Sequence, residues 1–525
     1  MVAVLKSSAV VFVLCLVAVS SAFGSATNIY ITQNGSPSGN CTANVQTPAF
    51  FNSASNWGSA GGQIGPGTTV LICGTFTGSA GATEFTFQKS GNSGSPVTLK
   101  FDSGAVLSAP YWSANGAISC TNLSYVTVDG GSTGVIQNTA NGTNQSNHQS
   151  SAGFAANGCT NSQVMNLTIK NIYINAGSSS NASDTNGVNT QDIVFNGNST
   201  DSVVANNTLS QAKTGVMFCA DPGGDASGVQ IYGNNISDMD WGINVGGGDN
   251  GDTMNGLLVH DNTITNWTNW QFPTDAMHQD GMIFFNFATG SQTLTASVYS
   301  NYIYGDLGVG SPTGFIYCAQ NASCNMFNNL LVNTGHVIYG IIWADTHRGG
   351  DTIYNNTIIG LSNDFAVTLG TSTGTNVNTP DIVENNIVVG PAVGIHDYSN
   401  LASDISTSDH NVWRTASGSA PQMATNDSTY VSYSTWQGEG FDAHSTNANP
   451  NLDSTYHLQS GSPALGLAAN LVNLNDAPLD LDMSNQPRPG SPGSPQPAGT
   501  AWDAGIYNGG NAPPPAPTNL SASVK

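Results

Sequence analysis

Positive charge is scarce in this sequence. Only 9 residues are Lys or Arg against 32 Asp or Glu, for a formal net charge of −23. Nucleic-acid binding needs a basic surface, so we expect no nucleic-acid partner. Charged residues of either sign make up 8% of the chain, too few for the Glu, Lys and Arg that usually cover exposed helices. The 61 Gly and the abundant Asn, Ser and Thr instead favour turns and strands.

Long apolar runs are missing as well. The run Ala9–Val19 has 11 residues, too few to span a bilayer, and no later run is long enough. Lys6 precedes it, and small-residue cleavage options end at Ala22 and Ala26. Residues 1–26 are therefore predicted to be a secretory signal peptide, and the protein is predicted to be secreted or to lie at the cell surface.

Seven cysteines follow the predicted signal peptide. Export permits disulfides, and an odd number leaves one thiol free or paired between chains. No Cys/His spacing typical of a zinc site occurs. One predicted pair lies near the N-terminal edge, one spans a short loop, and one joins the similar stretches "CTNLSYVTV" and "CTNSQVMNL". The predicted pairs are Cys41–Cys73, Cys318–Cys324 and Cys120–Cys159, which leaves Cys219 over.

A short pattern recurs through the centre of the chain: an aliphatic residue, a short spacer, Asn and another aliphatic. Five of the six steps between aligned Asn residues are 27 to 29 residues long. The aligned residues are Asn207, Asn234, Asn262, Asn301, Asn329, Asn356 and Asn385. A fixed period of this length is typical of a solenoid. At a repeated turn, Asn tolerates a left-handed backbone and hydrogen-bonds to the Asn of the next coil, so we expect these residues to be structural.

A second marker runs in phase with the first. It is a small residue followed by three mostly apolar ones, as in "GVMF" at Gly215 and "GMIF" at Gly281. Helical periodicity is absent. Each period therefore holds two short strands and a third, looser stretch. We predict an all-β, single-stranded parallel β-helix of about ten coils, in which each position stacks on itself every ~4.8 Å.

The sequence resembles the pectin-lyase-like superfamily of right-handed parallel β-helix proteins. The resemblance rests on the Asn-punctuated coils, on the opening "FFNSASNWGSAGGQIGPGTTVLICGTF", and on "YHLQSGSPALGL" followed by Arg488 and "WDAGIY". It implies a right-handed β-helix over residues 27–510, with an N-terminal entry and a C-terminal closing segment. Residues 511–525 are a Pro-rich tail. The superfamily includes lyases, hydrolases, epimerases and adhesins, so the resemblance does not decide the activity. The "NTD", "DD", "GHG", "RIK" and "RxPxxR" motifs of pectin-degrading members do not occur.

The repeat is interrupted at one turn. The Asn marker and the small-residue marker are 8 residues apart in two coils, but 19 apart between Asn262 and Gly281. The inserted stretch is "NWTNWQFPTDAMH". Solenoids grow loops on the face that they use for binding. Alignment on the glycine marker predicts that Asp240, Trp241 and Asp280 are near neighbours on adjacent coils, with Lys213 one coil below.

Aromatic, acidic and amide side chains together suit a carbohydrate, because rings stack on sugar C–H faces and polar groups bind hydroxyls. We therefore expect a polysaccharide or cell-surface glycan as the partner. The predicted catalytic residues are Asp280, Asp240, His278, Asp275 and Lys213. The predicted substrate-binding residues are Trp241, Trp267, Trp270, Phe272, Asp238, Asp306, His336 and Tyr339.

Three activities fit these residues. The first is a glycoside hydrolase that uses Asp280 and Asp240 as a carboxylate pair and needs no cofactor. The second is a polysaccharide lyase with Lys213 or His278 as the base and Ca²⁺ as a cofactor. The third is a non-catalytic adhesin or carbohydrate-binding solenoid. Candidate Ca²⁺ ligands lie in acidic, Gly-rich third turns: Asp221, Asp225, Asp249 and Asp252.

Overall fold

The structure is a computed structural model that describes residues 28–175, 188–248, 251–270, 278–287, 294–309, 312–346, 349–370, 379–398, 404–426, 428–497 and 499–509. The predicted signal peptide and the Pro-rich tail lie outside these residues. Among the described residues, no helix is both long and apolar enough to cross a membrane.

Short strands dominate the described chain. The first eighteen are β1 Asn28–Ile31, β2 Thr69–Ile72, β3 Thr75–Thr77, β4 Phe85–Thr86, β5 Val97–Phe101, β6 Val106–Ala109, β7 Ile118–Thr121, β8 Val126–Asp129, β9 Val135–Asn138, β10 Ser151–Asn157, β11 Gln163–Met165, β12 Thr168–Lys170, β13 Thr190–Asn196, β14 Val203–Ala205, β15 Thr208–Cys219, β16 Gln230–Tyr232, β17 Asn235–Gly247 and β18 Met254–His260. The others are β19 Thr263–Thr265, β20 Asp280–Asn286, β21 Leu294–Tyr299, β22 Tyr302–Gly305, β23 Ile316–Gln320, β24 Ala322–Phe327, β25 Leu330–Asn333, β26 Ile342–Thr346, β27 Thr352–Tyr354, β28 Thr357–Ile359, β29 Phe365–Leu369, β30 Asp381–Glu384, β31 Ile387–Gly390, β32 Val393–Asp397, β33 Ile405–Asp409, β34 Val412–Thr415, β35 Gln422–Ala424 and β36 Tyr430–Val431.

Helices are short and few. The α-helices are α1 Pro48–Asn52 and α2 Tyr433–Gly438, and the 3₁₀ turns are Ala54–Asn56, Thr268–Trp270 and Val472–Leu474. Phe51 of α1 and Trp436 of α2 are fully buried and belong to the hydrophobic core at its first and last coils. The two helices therefore cover apolar side chains that no further coil would shield.

The strands stack into three parallel faces. Face 1 has thirteen strands, in the order β1-β2-β5-β8-β11-β14-β16-β18-β21-β24-β27-β30-β33. Face 2 runs from β3 to β34 and face 3 from β4 to β36, and the long strands β15 and β17 continue around the corner between them. The pairing β35–β36 is antiparallel, and the other pairings of these strands are parallel. The predicted right-handed parallel β-helix is therefore the observed fold, with the handedness that parallel crossovers adopt. Each period contributes three strands, and the thirteen strands of face 1 exceed the predicted ten coils.

The turn between faces 1 and 2 carries an asparagine ladder. Each ladder Asn donates from Nδ2 to the Oδ1 of the Asn one coil further on, over 2.9–3.1 Å. The members are buried: Asn207, Asn234, Asn262, Asn301, Asn329, Asn356, Asn386 and Asn411. The residue before each member takes the left-handed backbone, as at Asn328 and Asn355. The predicted member Asn385 is thus a left-handed residue, and Asn386 is the ladder residue.

The ladder ends on Asp442. Its Oδ1 accepts from Asn411 Nδ2 at 3.1 Å and from Trp413 Nε1 at 3.0 Å, while Oδ2 accepts from Trp436 Nε1 at 2.6 Å. The closing segment then folds back along the same turn, where Arg488 donates to Asn328 Oδ1 at 2.7 Å. The predicted disulfides Cys41–Cys73, Cys120–Cys159 and Cys318–Cys324 are confirmed, which fits an exported protein. Cys219 is the free cysteine of the described chain, and burial raises the pKa of its thiol to about 11.

Candidate functional site

The expanded turn leads into the outer surface of face 3. Thr214, Trp241 and Asp280 are in register on β15, β17 and β20, as the glycine marker predicts. The next strand slips by one residue, because Met282 pairs with Ile316 and not with Phe315. The Thr313 hydroxyl consequently donates to Asp280 Oδ1.

Asp280 and His278 form a pair in which the carboxylate is buried and the imidazole is partly exposed. His278 Nδ1 lies 2.5 Å from Asp280 Oδ2. The Asp280 side chain is fully buried, whereas the imidazole is 34% exposed. Burial raises the pKa of Asp280, and the contact with His278 and the Gly314 amide oppose this rise without cancelling it. When the Asp280 carboxylate accepts this hydrogen bond, the ring proton lies on Nδ1 and Nε2 is the basic nitrogen of the neutral ring.

Trp241 joins the pair to Lys213. Its indole N–H donates to the backbone carbonyl of His278, and its ring lies 5.8 Å from the imidazole. The Lys213 ammonium sits 5.2 Å from the Trp241 ring centroid, a cation–π contact. Lys213 is only 5% exposed. The predicted cluster of Lys213, Trp241, His278 and Asp280 is thus assembled. Because Lys213 is buried, its ammonium group cannot contact a polymer directly in this conformation.

The predicted carboxylate pair is not available to solvent. Asp240 is fully buried, and its Oδ1 accepts from Gln279 Nε2 at 3.2 Å. Since Asp280 is also fully buried, neither carboxylate can contact a sugar directly in this conformation. Asp238 is 7% exposed and has a left-handed backbone, so its predicted role in binding substrate is corrected to a role in the turn.

The two described tryptophans of the inserted stretch are buried and do not form a sugar platform. Trp267 and Trp270 are each 1% exposed. Trp267 stacks on Phe315 and donates to the Asp280 carbonyl at 3.2 Å, and Trp270 donates to the Asp238 carbonyl at 3.1 Å. Their predicted stacking on sugars is wrong, because both rings pack inward beneath the turn. Phe272 and Asp275 lie outside the described residues.

Aromatic side chains that the sequence analysis missed extend the site along face 3. Ring centroids lie 5.9 Å apart for His278–Tyr317, 5.4 Å for Tyr317–Trp343 and 6.0 Å for Trp343–Tyr398. We call Trp241, His278, Tyr317, Trp343 and Tyr398 the aromatic row; all five are partly exposed. Tyr317 and Trp343 are in register on β23 and β26. The available signal was the shared aromatic fourth letter of "GFIY" and "GIIW", next to an inward Ile.

Tyr317 is held as a proton donor. Its hydroxyl donates to Asp345 Oδ2 at 3.2 Å. Burial, and then the negative charge of Asp345, raise the pKa of Tyr317 well above its usual range. The phenol therefore stays protonated at neutral pH, directly beside the imidazole of His278. A basic nitrogen and a protonated hydroxyl on one surface can take a proton from a ligand and return one to it.

Three other predicted binding residues are Tyr339, Asp306 and His336. Tyr339 is 58% exposed and packs edge-on against Phe365, whose ring lies 4.8 Å from that of His396. It continues the aromatic surface beyond Tyr398, since His396 also contacts Tyr398. Asp306 and His336 pair with each other at 3.0 Å. Burial raises the pKa of Asp306, but hydrogen bonds from His336 outweigh it, so the pKa is lowered overall.

The predicted Ca²⁺ ligands serve turns in the described chain. Asp221 Oδ1 accepts from the Gly248 amide at 2.7 Å, Asp225 Oδ1 from the Ser227 amide at 2.9 Å, and Asp252 Oδ1 from the Gly223 amide at 2.8 Å. Their carboxylates are not among the described groups of three or more ligand atoms that converge, and Asp249 lies outside the described residues. A Ca²⁺ site at these turns stays a prediction.

Comparisons with known proteins concern the backbone fold alone. No family model matches the sequence, and no curated protein matches it. Among solved structures, pectate lyase Pel9A is 15% identical with a TM-score of 0.43, over 92% of this chain and 96% of that one. The PL6 family alginate lyase AlyGC is 13% identical with a TM-score of 0.45, over 83% of this chain and 56% of that one. The GH136 lacto-N-biosidase from Eubacterium ramulus is 13% identical with a TM-score of 0.41, over 77% of this chain and 66% of that one.

Proposed function

We propose that the chain binds a polysaccharide along the outer surface of face 3 and cleaves it as a lyase, with His278 as the base. The observation that carries this proposal is the 2.5 Å contact between buried Asp280 and partly exposed His278 within the aromatic row. A buried carboxylate that orients an exposed imidazole is the arrangement of a positioned general base. The row extends across about five inter-strand steps of ~4.8 Å, or roughly 24 Å, which suits an extended polymer.

The reaction that fits these groups is β-elimination. His278 Nε2 removes the proton on the carbon next to the sugar carboxylate. The electron pair forms a carbon–carbon double bond as the glycosidic carbon–oxygen bond breaks. Tyr317 supplies a proton to the departing oxygen, and its raised pKa keeps that proton in place until then. Asp280 does not touch substrate; it fixes the imidazole tautomer and stabilises the protonated ring.

The cation requirement follows from the net charge of −23. An acidic chain repels an acidic polymer, and a divalent cation between the two offsets that repulsion. We therefore infer that Ca²⁺ assists binding of a uronate polymer. Hydrolysis by the Asp240–Asp280 pair is less well supported, because both carboxylates are fully buried.

A polysaccharide panel tests the proposal. We expect ultraviolet absorbance from unsaturated sugar ends, with activity that is higher with CaCl₂ than with EGTA. His278→Ala and Tyr317→Phe should each lower kcat by about 10²- to 10⁴-fold, the usual contribution of a general acid or base. His260→Ala is the matched control, because it removes another His–Asp contact, of 2.7 Å with Asp261, on face 1.

Each other outcome identifies a different activity. New reducing ends without ultraviolet absorbance would indicate a hydrolase. Binding without either product would indicate an adhesin or a carbohydrate-binding solenoid. Equal losses of kcat in His278→Ala and His260→Ala would indicate that the active site does not lie at the aromatic row.

A further inference from the structure

A second histidine cluster lies at the C-terminal end of face 1, whereas the aromatic row lies on face 3. Asp409 ends β33, His410 follows it, and His444 reaches the same point from the segment after α2. One ligand atom from each residue lies within 4.8 Å of the other two. The imidazoles are stacked with centroids 4.9 Å apart. The proposed activity uses none of these residues.

His410 is oriented by the closing segment. Its Nδ1 lies 2.7 Å from the Leu467 carbonyl, and a carbonyl accepts only, so Nδ1 carries the proton. Nε2 is then the lone-pair nitrogen, and it lies 3.9 Å from Asp409 Oδ2. A hydrogen bond from the far nitrogen of a ligating His to a backbone carbonyl is the usual outer-shell support of a metal site.

The position of His410 in the repeat strengthens this argument. It occupies the left-handed position before a ladder residue, with φ of 57°. Asn385 fills that position one coil earlier and donates to the Ala469 carbonyl at 3.0 Å. Asn would therefore satisfy the contact with the closing segment at position 410 too. His makes the same contact and adds a second nitrogen, which faces the carboxylate.

Asp409 is held with one oxygen directed at both rings. Its Oδ1 accepts from the amides of His410 at 2.9 Å and His444 at 2.7 Å. Oδ2 lies 2.6 Å from His444 Nδ1. The His444 side chain is 68% exposed, so an ion can enter and the ring can move. The ligand atoms of a tetrahedral zinc ion lie about 3.3 Å apart, a spacing between the 2.6 Å of the His444–Asp409 contact and the 3.9 Å of the His410–Asp409 contact.

We propose that Asp409, His410 and His444 bind a divalent transition-metal ion, with Zn²⁺ the best match. Two imidazoles and one carboxylate suit zinc, whereas Ca²⁺ and Mg²⁺ prefer oxygen ligands. Glu384 lies one strand below Asp409 in register, and its carboxylate or a water molecule is the candidate for the fourth ligand. The ion ties the last strand of face 1 to the turn after α2 and, through His410, to the closing segment.

Zinc titration of the whole chain tests the site. After treatment with EDTA and dialysis, ZnCl₂ is titrated by calorimetry, and Co²⁺ is added separately to record visible absorption. We expect one Zn²⁺ per chain, a Tm that rises with the logarithm of free Zn²⁺, and Co²⁺ bands of a four-coordinate site. Absence of Zn²⁺ uptake by the unmodified protein would overturn the proposal.

Two variants separate metal binding from folding. His410→Asn restores the residue type of the repeat and keeps a donor for Leu467, and His444→Ala removes an exposed ring. Each should weaken Zn²⁺ binding by more than the about 10- to 100-fold that loss of an outer-shell partner causes, with the metal-free Tm nearly unchanged. His260→Ala, which removes a His–Asp contact without a second His, should bind Zn²⁺ normally. Unchanged Zn²⁺ affinity in His410→Asn and His444→Ala would refute the site.

Discussion

The turn between faces 1 and 2 and the turn between faces 2 and 3 follow opposite rules. In the first, each coil from Asn207 to Asn411 places a left-handed residue before a buried Asn, and the Asn amides of these coils bond to one another. In the second, the spacing between markers grows from 8 to 19 residues, and the His278–Asp280 pair lies where the strand resumes. The uniform turn fixes the stacking, and that rigidity allows the other turn to vary in length and chemistry.

Breaking the uniform turn should have the largest effect. Asn301→Ala removes the acceptor for Asn262 Nδ2 and the donors for Asn329 Oδ1 and the Val259 carbonyl. Buried groups left without partners cost about 1–3 kcal/mol each. We expect the free energy of unfolding in urea to fall by about 4 kcal/mol or more. Asn325→Ala, an exposed Asn outside the ladder, should change it by less than about 0.5 kcal/mol; similar losses would mean that the ladder does not stabilise the fold.

Two tryptophans near the variable turn should separate stability from binding. Trp267→Ala should destabilise the fold by about 3–5 kcal/mol, because the ring is buried against Phe315. Trp343→Ala should leave the Tm nearly unchanged and weaken polysaccharide binding about tenfold, the loss of one stacked ring. Thermal unfolding and binding isotherms measure both. Weaker binding in Trp267→Ala at unchanged stability would restore Trp267 as a sugar platform.

Asp280→Asn should act on catalysis more than on folding. The amide is nearly isosteric but cannot stabilise a protonated His278, so we expect kcat to fall about 10²-fold while KM changes little. Steady-state kinetics on the substrate from the panel measures this, with Asp201→Asn, an exposed Asp, as the control. A change in KM alone would assign Asp280 to binding.

The smallest expected effect concerns Asp192, which carries a fully buried carboxylate on β13. Neither carboxylate oxygen has a hydrogen-bond partner of normal length and angle. Burial raises the pKa of Asp192 well above its usual value, opposed only by the Ser210 amide. The folded chain therefore holds a proton there that the unfolded chain releases above about pH 4. The protonated Asp192 therefore contributes stability that is complete below about pH 4. That contribution is lost as the pH rises through the pKa of Asp192 in the folded chain.

Asp192→Asn removes this dependence. We expect it to raise the free energy of unfolding by about 1 kcal/mol at pH 7, with a smaller gain near pH 4. Urea unfolding at both pH values checks this. Asp201→Asn should show no such difference between the two pH values. A gain for Asp192→Asn that is equal at both pH values would mean that the charge is not responsible.

Much of the scaffold was predictable because it repeats. The Asn period located the turn between faces 1 and 2, and the glycine marker placed Trp241 beside Asp280 in register. The predictions were wrong by one residue where the internal length of the repeat changes. Asn385 was predicted as the ladder residue, but Asn386 occupies that position. Gly314 was predicted to lie opposite Gly281, but the strand is shifted by one residue. A recurring sequence marker gives the average length of a coil, whereas the register of each strand pair depends on the local length of its own coil.

The chemistry of the site was less predictable, because it depends on side-chain direction. Trp267 and Trp270 resembled sugar platforms in the sequence, but both rings pack inward and are buried. Tyr317 and Trp343 resembled core residues, but strand alternation turns them outward. The contact between His410 and His444 depends on how the chain returns to β33 after α2. No local sequence pattern predicts that return.

The ladder's terminus on Asp442 sets where the solenoid stops. Each Asn amide accepts from one coil and donates to the next, so an exposed end would be a template for another coil or another molecule. A carboxylate accepts hydrogen bonds but has none to donate. With Asn411, Trp413 and Trp436 bound to it, Asp442 ends the relay chemically. The last coil of the ladder thus ends on a group that has no hydrogen to pass on to a further coil.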